Sequence, residues 1–168
     1  NKSPAQWDAA KLSWVNAHYV KHADDQRLSA LVAKHLRAKG LAVADDAALA
    51  PHCALFKDRC STTVELADWL SMYVADVTPP ADELAAKLTD AVKPAVAALA
   101  ERLKNVAWEA PAISQAIKDT LGEFGLKMPQ LAIPVRLLVC GRSQTPSVDA
   151  ALVLFERDVV VQRLQKNI

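Results

Sequence analysis

The sequence predicts an all-α protein, and three observations point to that class. Glycine occurs only four times in 168 residues, while alanine and leucine dominate the composition. Alanine and unbranched side chains lose little conformational freedom in a helix, so this composition favours helices over strands. Apolar residues also recur at three- and four-residue spacing, with capping residues or prolines where the runs begin.

Four helices are predicted before residue 76. The first opens at residues 3–6 (Ser-Pro-Ala-Gln), a capping box with proline at the first helical position. The second is capped at residues 24–25 (Asp-Asp) and ends at Gly40, and the third covers residues 48–59. A second capping box at residues 62–65 (Thr-Thr-Val-Glu) opens the fourth. The apolar side chains at helical spacing are Leu12, Val15 and Tyr19 with Trp14 beside them, then Leu28, Leu31, Val32 and Leu36, then Leu66, Trp69, Leu70 and Tyr73.

The strongest break in the chain is Pro79-Pro80, because adjacent prolines cannot sit inside a helix. We therefore predict two helical subdomains, residues 1–75 and residues 76–168. Further helices are expected around Leu84 and Leu88 and around residues 92–103. Another starts at Pro111 and stops at Gly125, and two more cover residues 149–156 and 159–167.

One segment is ambiguous. Residues 133–141 (Ile-Pro-Val-Arg-Leu-Leu-Val-Cys-Gly) are rich in β-branched side chains, and propensity alone favours a buried strand. Periodicity cannot separate a short buried strand from a buried helix segment, so the residues leave both structures open.

The bulk composition excludes several classes of protein. No apolar run approaches the ~20 residues that a membrane helix needs, and the N-terminus has no signal-peptide pattern. The chain lacks an initiator Met, so we expect a processed or excised piece. Three cysteines, an odd number, favour reduced thiols and a cytoplasmic location. The net charge of +1 is low for a dedicated nucleic-acid binder, so any RNA contact is expected to be a patch.

Residues for metal binding or catalysis do not form a recognisable pattern. His18 and His22 are one helical turn apart, and His52, Cys53 and Cys60 lie near one another in sequence, but structural zinc sites need four ligands in close-set pairs. The sequence has no nucleophile elbow and no glycine-rich phosphate loop. The acidic pairs at residues 24–25 and 45–46 stand where helix caps are expected. We predict no metal site and no catalytic residue in this chain.

The remaining candidate is the segment from Arg136 to Val148. It places an arginine near the end of an apolar element, then a turn at Gly141, a second arginine at Arg142 and a polar loop that ends in Thr145-Pro146-Ser147. Ser147 is expected to cap the next helix. Between residues 124 and 148 the charged residues are two arginines and one lysine, with no acid. A guanidinium is a planar fork of donors suited to base edges and phosphates, although a polar loop beside a core arginine has the same pattern.

Three segments carry a resemblance to a known family. Residues 11–20 (KLSWVNAHYV) look like a K-L-x-W-x-N-x-x-Y-I motif, and residues 59–67 (RCSTTVELA) look like an R-x-x-T-L-x-E-hydrophobic-A motif. Residues 131–136 (LAIPVR) followed by residues 144–150 (QTPSVDA) are similar to a proline–hydrophobic–arginine motif with a following Ser/Thr-Pro turn. Found in this order, the three motifs resemble the C-terminal region of bacterial glutamyl-tRNA synthetases.

The resemblance implies a fold and a ligand. The family's anticodon-binding region is two packed helical subdomains called the helix cage, and it is helical where residues 134–140 lie. The catalytic HIGH and KMSKS motifs of these class I synthetases lie upstream in the family and are absent from this chain. The resemblance therefore implies an anticodon-binding part that is inactive alone, with glutamate tRNA and the catalytic domain of the same polypeptide as partners. No cofactor is implied for this part; ATP and magnesium are implied for the full, monomeric enzyme.

The resemblance also implies roles for individual residues. Arg59 corresponds to the family's arginine that reads the last anticodon letter, C in glutamate tRNA and G in glutamine tRNA. Arg136 corresponds to an arginine that contacts anticodon bases, and the nearby pocket-lining positions are Thr145, Pro146 and Val148. The family pattern further suggests backbone contacts from two cations, Lys118 and Arg142. The alternative function is a helical protein–protein interaction domain with no RNA ligand, which would bind a protein in stoichiometric amount and no tRNA.

Overall fold

The computed structural model describes residues 8–168 and confirms the all-α prediction. This part of the chain holds ten α-helices and three short 3-10 turns, and no strand is found in it. The predicted capping box at residues 3–6 lies outside the described residues. The chain divides into two compact units, Asn1–Ala75 and Asp76–Ile168. None of the helices between residues 8 and 168 is long and apolar enough to span a bilayer.

Residues 8–75, the described part of the first unit, contain four α-helices, of which the first two begin at an aspartate cap. Asp8 caps the first by accepting a hydrogen bond from the amide of Ala10 at 2.9 Å, and Asp24 caps the second in the same way at the amide of Arg27 at 3.0 Å. These helices and the 3-10 turns between them are α1 (Ala9–His22), α2 (Asp25–Ala38), the turn Ala47–Leu49, α3 (Ala50–Phe56), the turn Lys57–Arg59, α4 (Thr63–Leu70) and the turn Ser71–Tyr73.

Helix α2 is the centre of the first unit. It packs against α3 and α4, and Leu28, Val32 and Leu36 are almost fully buried along one side of it. The imidazole Nε2 of His35 lies 3.0 Å from the hydroxyl of Thr63, which links α2 to the first turn of α4. The predicted stripe of α2 is therefore the core stripe, except that Leu31 stays exposed.

Helix α1 departs from this pattern. Val20 is its only buried side chain, while Leu12, Trp14 and Tyr19 are exposed. The helical spacing of these residues correctly indicates a helix, but the apolar side of that helix does not join the core of the first unit.

The second unit contains six helices. Two side chains make hydrogen bonds to distant backbone in this unit: the Trp108 indole donates to the carbonyl of Phe155 at 2.8 Å, and Arg157, the first residue of the last helix, donates to the carbonyl of Lys104 at 2.6 Å. The helices are α5 (Ala81–Lys87), α6 (Lys93–Leu103), α7 (Ala110–Phe124), α8 (Met128–Cys140), α9 (Val148–Val153) and α10 (Arg157–Gln165).

Helix α8 is the segment whose propensity favours a strand. It contacts every other helix of the second unit, and eight of its side chains are buried. Because neighbours cover it on all sides, apolar β-branched residues are stable there in a helix. Local signals agree with the helix: Pro129 stands in its first turn, Gln130 accepts the amide of Lys127 at 2.8 Å, and the helix ends at Gly141. Tertiary burial thus overrides local propensity, and the helical structure implied by the resemblance is correct.

The glycines that end α7 and α8 offer a test of this architecture. Gly125 has φ +63° and Gly141 has φ +71°, in the left-handed region, where a side chain costs about 1–2 kcal/mol. A Cβ on Gly125 meets open space, whereas one on Gly141 lies 3.2 Å from Cβ of Val77. We expect Gly125→Ala to lower the free energy of unfolding by about 1–2 kcal/mol and Gly141→Ala by about 2–3 kcal/mol, because Gly141 adds overpacking to the backbone cost.

Urea denaturation of both variants measures the difference. Combining Gly141→Ala with Val77→Ala isolates the contact, since the double variant should lose less stability than the sum of the two single losses. Equal costs at the two glycines, or strict additivity with Val77→Ala, would show that the close approach at the end of α8 is absent.

Candidate nucleic-acid interface

The polar loop after α8 folds back onto the helix that precedes it. Nε of Arg136 donates to the hydroxyl of Thr145 at 3.0 Å, and its Nη2 donates to the carbonyl of Pro146 at 3.4 Å. The Thr145 hydroxyl in turn donates to the same Pro146 carbonyl at 2.7 Å. These bonds fix the plane of a half-buried guanidinium on a rigid helix, so Arg136 is oriented before any ligand arrives.

The three pocket residues predicted beside Arg136 lie mostly below the surface. Thr145 is 6% exposed, and Pro146 and Val148 are also buried. The structure therefore brings Arg136, Thr145 and Pro146 into one bonded group, while little of Thr145 or Val148 is accessible to a base. Thr145 and Pro146 support Arg136 by hydrogen bonds, and Val148 is a buried residue of α9.

The accessible part of this loop consists of residues that sequence reasoning passed over. Gln144 and Ser147 are exposed, and Ser143 is partly exposed. Ser147 stands at the N-cap position of α9, as predicted, but its side chain makes no capping hydrogen bond; its carbonyl accepts the amide of Ala151 at 3.0 Å. The sequence did contain a signal for Gln144 and Ser147, because polar side chains in a loop between two buried elements are expected at the surface.

Three arginines surround the C-terminal end of α8. Arg136, Arg142 and Arg163 all act on the buried thiol of Cys140, and each favours its thiolate. Burial dominates, however, and raises the pKa of Cys140 to about 12. Arg163 belongs to the fold: it donates to the carbonyl of Val139 at 2.7 Å and lies over the ring of Phe155 at 5.1 Å, and burial lowers its pKa.

This cluster places positive charge at the negative end of a helix dipole, which stabilises both. Arg142 is partly exposed there, and Asp76 lies close enough to Arg163 to raise the pKa of that guanidinium. Over the whole second unit, Asp76–Ile168, the charges balance, with eleven basic and eleven acidic residues.

Arg59 lies in the first unit, at the end of the 3-10 turn Lys57–Arg59, and is exposed. The turn is anchored by Lys57, whose ammonium donates to Oδ1 of Asp25 at 2.8 Å and to the carbonyl of Ala23 at 3.2 Å. The Lys57 side chain is only 19% exposed, so this ion pair is shielded from solvent more than most surface pairs. The buried neighbour Cys60 closes the turn, with its amide 3.2 Å from the carbonyl of Lys57.

The chain leaves the Arg59 turn through the capping residues of α4. The hydroxyl of Thr62 accepts the amide of Glu65 at 3.1 Å, as a capping box requires. The carboxylate of Glu65 accepts the amide of Ser61 at 2.7 Å and not that of Thr62, so the reciprocal bond of the predicted box falls one residue earlier. This shift ties down the residue two positions after Arg59 and limits the movement of the turn.

Lys118 is exposed on α7, among the polar residues of that helix. Its neighbour Gln115 donates to Asp119 at 2.8 Å, one helical turn along the same surface. Lys118 is accessible to solvent, and the hydrogen bonds that hold Arg136 come from Thr145 and Pro146. A phosphate contact by Lys118 therefore stays a prediction.

Side chains that could carry chemistry are not assembled into a centre. In the part of the chain that the structure describes, no group of three or more His, Cys, Asp or Glu side chains is placed to hold a metal ion. Cys53, Cys60 and Cys140 are buried thiols that form no disulfide, and burial raises the pKa of Cys53 to about 12. Asp46 stands at the N-cap of the turn Ala47–Leu49 but makes no capping bond and pairs with Arg37, while Asp45, one residue earlier, accepts the amide of Ala47 at 3.0 Å.

A helical scaffold that presents a few oriented arginines is typical of a binding domain. A protein-family model described as "Anticodon binding domain" matches residues 18–168. Because that match covers most of the chain, the protein belongs to the anticodon binding domain family.

Similar proteins agree with this assignment. The chain is 53% identical over 165 residues to a glutamate–tRNA ligase of Leptothrix cholodnii and 53% identical over 167 residues to one of Burkholderia ambifaria. These matches cover 98% of the chain but only 35% and 36% of the relatives, so the chain spans about a third of their length. The resemblance to this family is thus confirmed across almost the whole chain.

A solved structure shows the same fold. A glutamate tRNA ligase from Elizabethkingia meningosepticum superposes with a TM-score of 0.86 over 99% of this chain and 33% of that one, at 18% sequence identity. At this identity the likeness establishes the arrangement of the helices and no more.

Burial of the thiols is testable with a chromogenic disulfide reagent. Because the pKa values of Cys53 and Cys140 are both raised to about 12, we expect no reaction at pH 8 in the folded protein and rapid reaction in denaturing urea. Because the unfolded thiols ionise near their ordinary pKa of 9.0, the contribution of these two thiols to stability should be constant below pH 9 and be lost as the pH rises toward 12. Fast labelling of Cys140 at pH 8 would mean that the end of α8 opens readily.

Proposed function

We propose that this chain is the anticodon-binding part of a glutamate–tRNA ligase, and that it binds the anticodon loop of glutamate tRNA. The observation that carries the proposal is the identity of 53% to such ligases over 98% of the chain. In the complete enzyme, the remainder of the polypeptide attaches glutamate to tRNA with ATP and magnesium, in the cytoplasm where tRNA is used. The competing function, a helical domain without an RNA ligand, has no support from the family match.

The proposed reader of the last anticodon letter is Arg59. A splayed-out cytosine presents acceptors, its O2 and N3, on the Watson–Crick edge, and guanine presents mainly donors there. A guanidinium offers only donors, so it pairs with cytosine and leaves guanine's donors unmatched. The anchored turn supports this role, because Lys57 and the capping residues of α4 hold the backbone of Arg59 in place.

Arg136 is proposed to contact a second anticodon base from helix α8 of the second unit. Its bonds to Thr145 and Pro146 orient the guanidinium without ligand, which lowers the entropy cost of the contact. We assign Thr145, Pro146 and Val148 to supporting this arginine, since burial leaves them little surface for RNA. Arg142 and Lys118 are proposed phosphate contacts, with Gln144 and Ser147 as exposed neighbours of the loop.

The charge balance supports recognition by few contacts. The first unit has nine basic and eight acidic residues, and the second has equal numbers. Affinity gained from neutralising phosphates scales with the number of cations that contact them, so tRNA binding by this chain should be weak and only moderately sensitive to salt. Discrimination then depends on base contacts such as the one assigned to Arg59.

Replacing Arg59 by glutamine tests the reading of the last letter. Arg59→Gln should reduce the preference for glutamate tRNA over glutamine tRNA by about 1–3 kcal/mol, the value of one good base contact. Binding of both full-length tRNAs is measured by fluorescence anisotropy. The matched control Lys34→Gln removes the same charge from an exposed site on α2, and it should weaken the binding of both tRNAs equally. An unchanged preference in Arg59→Gln would refute the role of Arg59.

Support of Arg136 by Thr145 is tested by removing the hydroxyl. Thr145→Val should weaken binding of glutamate tRNA by about 0.5–1.5 kcal/mol, roughly 2- to 12-fold, because the guanidinium loses one orienting bond. Thr145→Ser keeps the hydroxyl and should bind normally.

The second unit offers a matched control at Thr120. This buried threonine accepts from Nη1 of Arg102 at 2.7 Å, so Thr120→Val also breaks an arginine–threonine bond, away from the loop. Thr120→Val should lower stability and leave tRNA affinity unchanged. Equal losses of tRNA affinity in Thr145→Val and Thr120→Val would show that general destabilisation, and not the lost bond to Arg136, causes the effect.

A further inference from the structure

Two hydrogen bonds join helix α2 to the chain on both sides of Arg59. Before the arginine, the ammonium of Lys57 donates to Oδ1 of Asp25, in the first turn of α2, at 2.8 Å. After it, the hydroxyl of Thr63 lies 3.0 Å from Nε2 of His35, in the last turn of α2. We call these contacts the two α2 bonds. A single helix therefore holds both ends of the segment that carries the proposed base reader.

The two α2 bonds lie far apart on one rigid element. Asp25 and His35 are ten residues apart in sequence, which corresponds to about 15 Å along the axis of an α-helix. The helix is itself fixed in the core of the first unit, because Leu28, Val32 and Leu36 are almost fully buried. The separation between the two ends of the Arg59 segment is therefore set by α2.

The middle of the same segment is anchored by the residue next to Arg59. Cys60 is 4% exposed, and its amide lies 3.2 Å from the carbonyl of Lys57. The following amide, that of Ser61, donates to the carboxylate of Glu65 at 2.7 Å. Arg59 is exposed between these fixed points, so its backbone is held while its side chain extends into solvent.

Reading one base with a guanidinium requires accurate placement of that group. Hydrogen bonds weaken steeply when donor and acceptor are misaligned, and a recognition group has to be held within about 0.5 Å of the productive geometry. The turn Lys57–Arg59 is a 3-10 turn of three residues, and the hydrogen bonds of such turns have poorer geometry than those of an α-helix. The accuracy must therefore come from the contacts that fix the backbone on both sides of the turn.

We propose that Asp25 and His35 are positioning residues that set the specificity of Arg59 for the last anticodon letter. This inference rests on the proposed function for the base that Arg59 reads. Asp25 acts through Lys57, and His35 acts through Thr63. Loss of either bond widens the range of positions that Arg59 occupies and weakens its match to the acceptors of cytosine. Guanine is affected much less, because its donors are unmatched by a guanidinium in any position.

A role in specificity differs measurably from a role in stability. A variant that only destabilises the fold lowers the fraction of protein that is able to bind, and this lowers the apparent affinity for every RNA by the same factor. The ratio of the affinities for two RNAs then stays constant. A displaced guanidinium lowers that ratio, so the ratio is the quantity to measure.

Three variants break the two α2 bonds. Asp25→Ala removes the partner of Lys57, Thr63→Val removes the hydroxyl and keeps the shape of the side chain, and His35→Leu removes the imidazole. We expect each variant to reduce the preference for an anticodon stem-loop ending in C over one ending in G by about two- to tenfold in fluorescence anisotropy. Combining His35→Leu with Thr63→Val should cause no further loss, because both remove the same bond. Thr63→Ser keeps the hydroxyl and should keep the preference.

The ion pair of Lys39 with Asp68 provides a matched control. It joins the residue directly after α2 to α4, and Asp68 lies beyond the Arg59 segment. Asp68→Ala removes the carboxylate of a lysine pair, as Asp25→Ala does, and it should leave the preference unchanged. Equal falls of the preference in Asp68→Ala and Asp25→Ala would mean that loosening of the first unit in general is responsible, and would overturn the proposal.

Hydrogen exchange tests the same bonds without RNA. The amides of Cys60 and Ser61 are both hydrogen-bonded beside Arg59, and their exchange can be followed by NMR. Asp25→Ala and Thr63→Val should speed this exchange by about two- to tenfold, and Asp68→Ala should not. Unchanged exchange in the first two variants would overturn the proposal, as would faster exchange with an unchanged preference for C.

The outcomes separate this inference from the proposed function. If the unmodified chain binds the two stem-loops equally, the proposed function is refuted, and hydrogen exchange still decides whether α2 holds the turn of Arg59. If the unmodified chain prefers C and the preference survives Asp25→Ala and Thr63→Val, only the positioning role of α2 is refuted.

Discussion

The burial of helix α8 is the constraint on which the second unit depends. Every other helix of that unit contacts α8, and its side chains Leu131, Val135, Leu137 and Val139 are all fully buried. A helix surrounded in this way has one stable position, because shifting it would expose apolar surface on several sides at once. Because Arg136 belongs to this helix, packing of the core fixes the position from which its guanidinium extends.

The C-terminal end of α8 and the loop after it hold the guanidinium of Arg136 in one orientation. Gly141 turns the chain where Val77 leaves little room for a side chain, and the loop returns so that Thr145 and Pro146 meet Arg136. In the first unit a different interaction fixes the backbone: the ion pair of Lys57 with Asp25 anchors the turn that ends at Arg59. Both arginines are presented by backbone that is fixed independently of RNA, which suits recognition by a few contacts on a protein of net charge +1.

Much of this structure could be predicted from the sequence, and the exceptions have physical causes. Helix ends followed from local signals, since Asp24 caps α2 and Gly125 ends α7 by interactions within a few residues. The state of residues 133–140 could not be derived locally, because contacts with five other helices decide it. Sequence spacing also could not predict the hydrogen bond from Arg136 to Thr145. The spacing indicated a shared pocket, but it did not indicate that Thr145 would be buried beneath the arginine. The exposure of Leu12 and Tyr19 could not be predicted either, because helical spacing indicates a helix with an apolar side but not what covers that side.

We propose that Arg59 and Arg136 of this chain recognise the anticodon of glutamate tRNA. The most direct test compares the binding of the unmodified chain to two anticodon stem-loops that differ only in the last anticodon letter, C or G. We expect tighter binding of the loop ending in C by about 1–3 kcal/mol, roughly 5- to 150-fold, measured by isothermal titration or fluorescence anisotropy. Equal affinity for the two loops would contradict it.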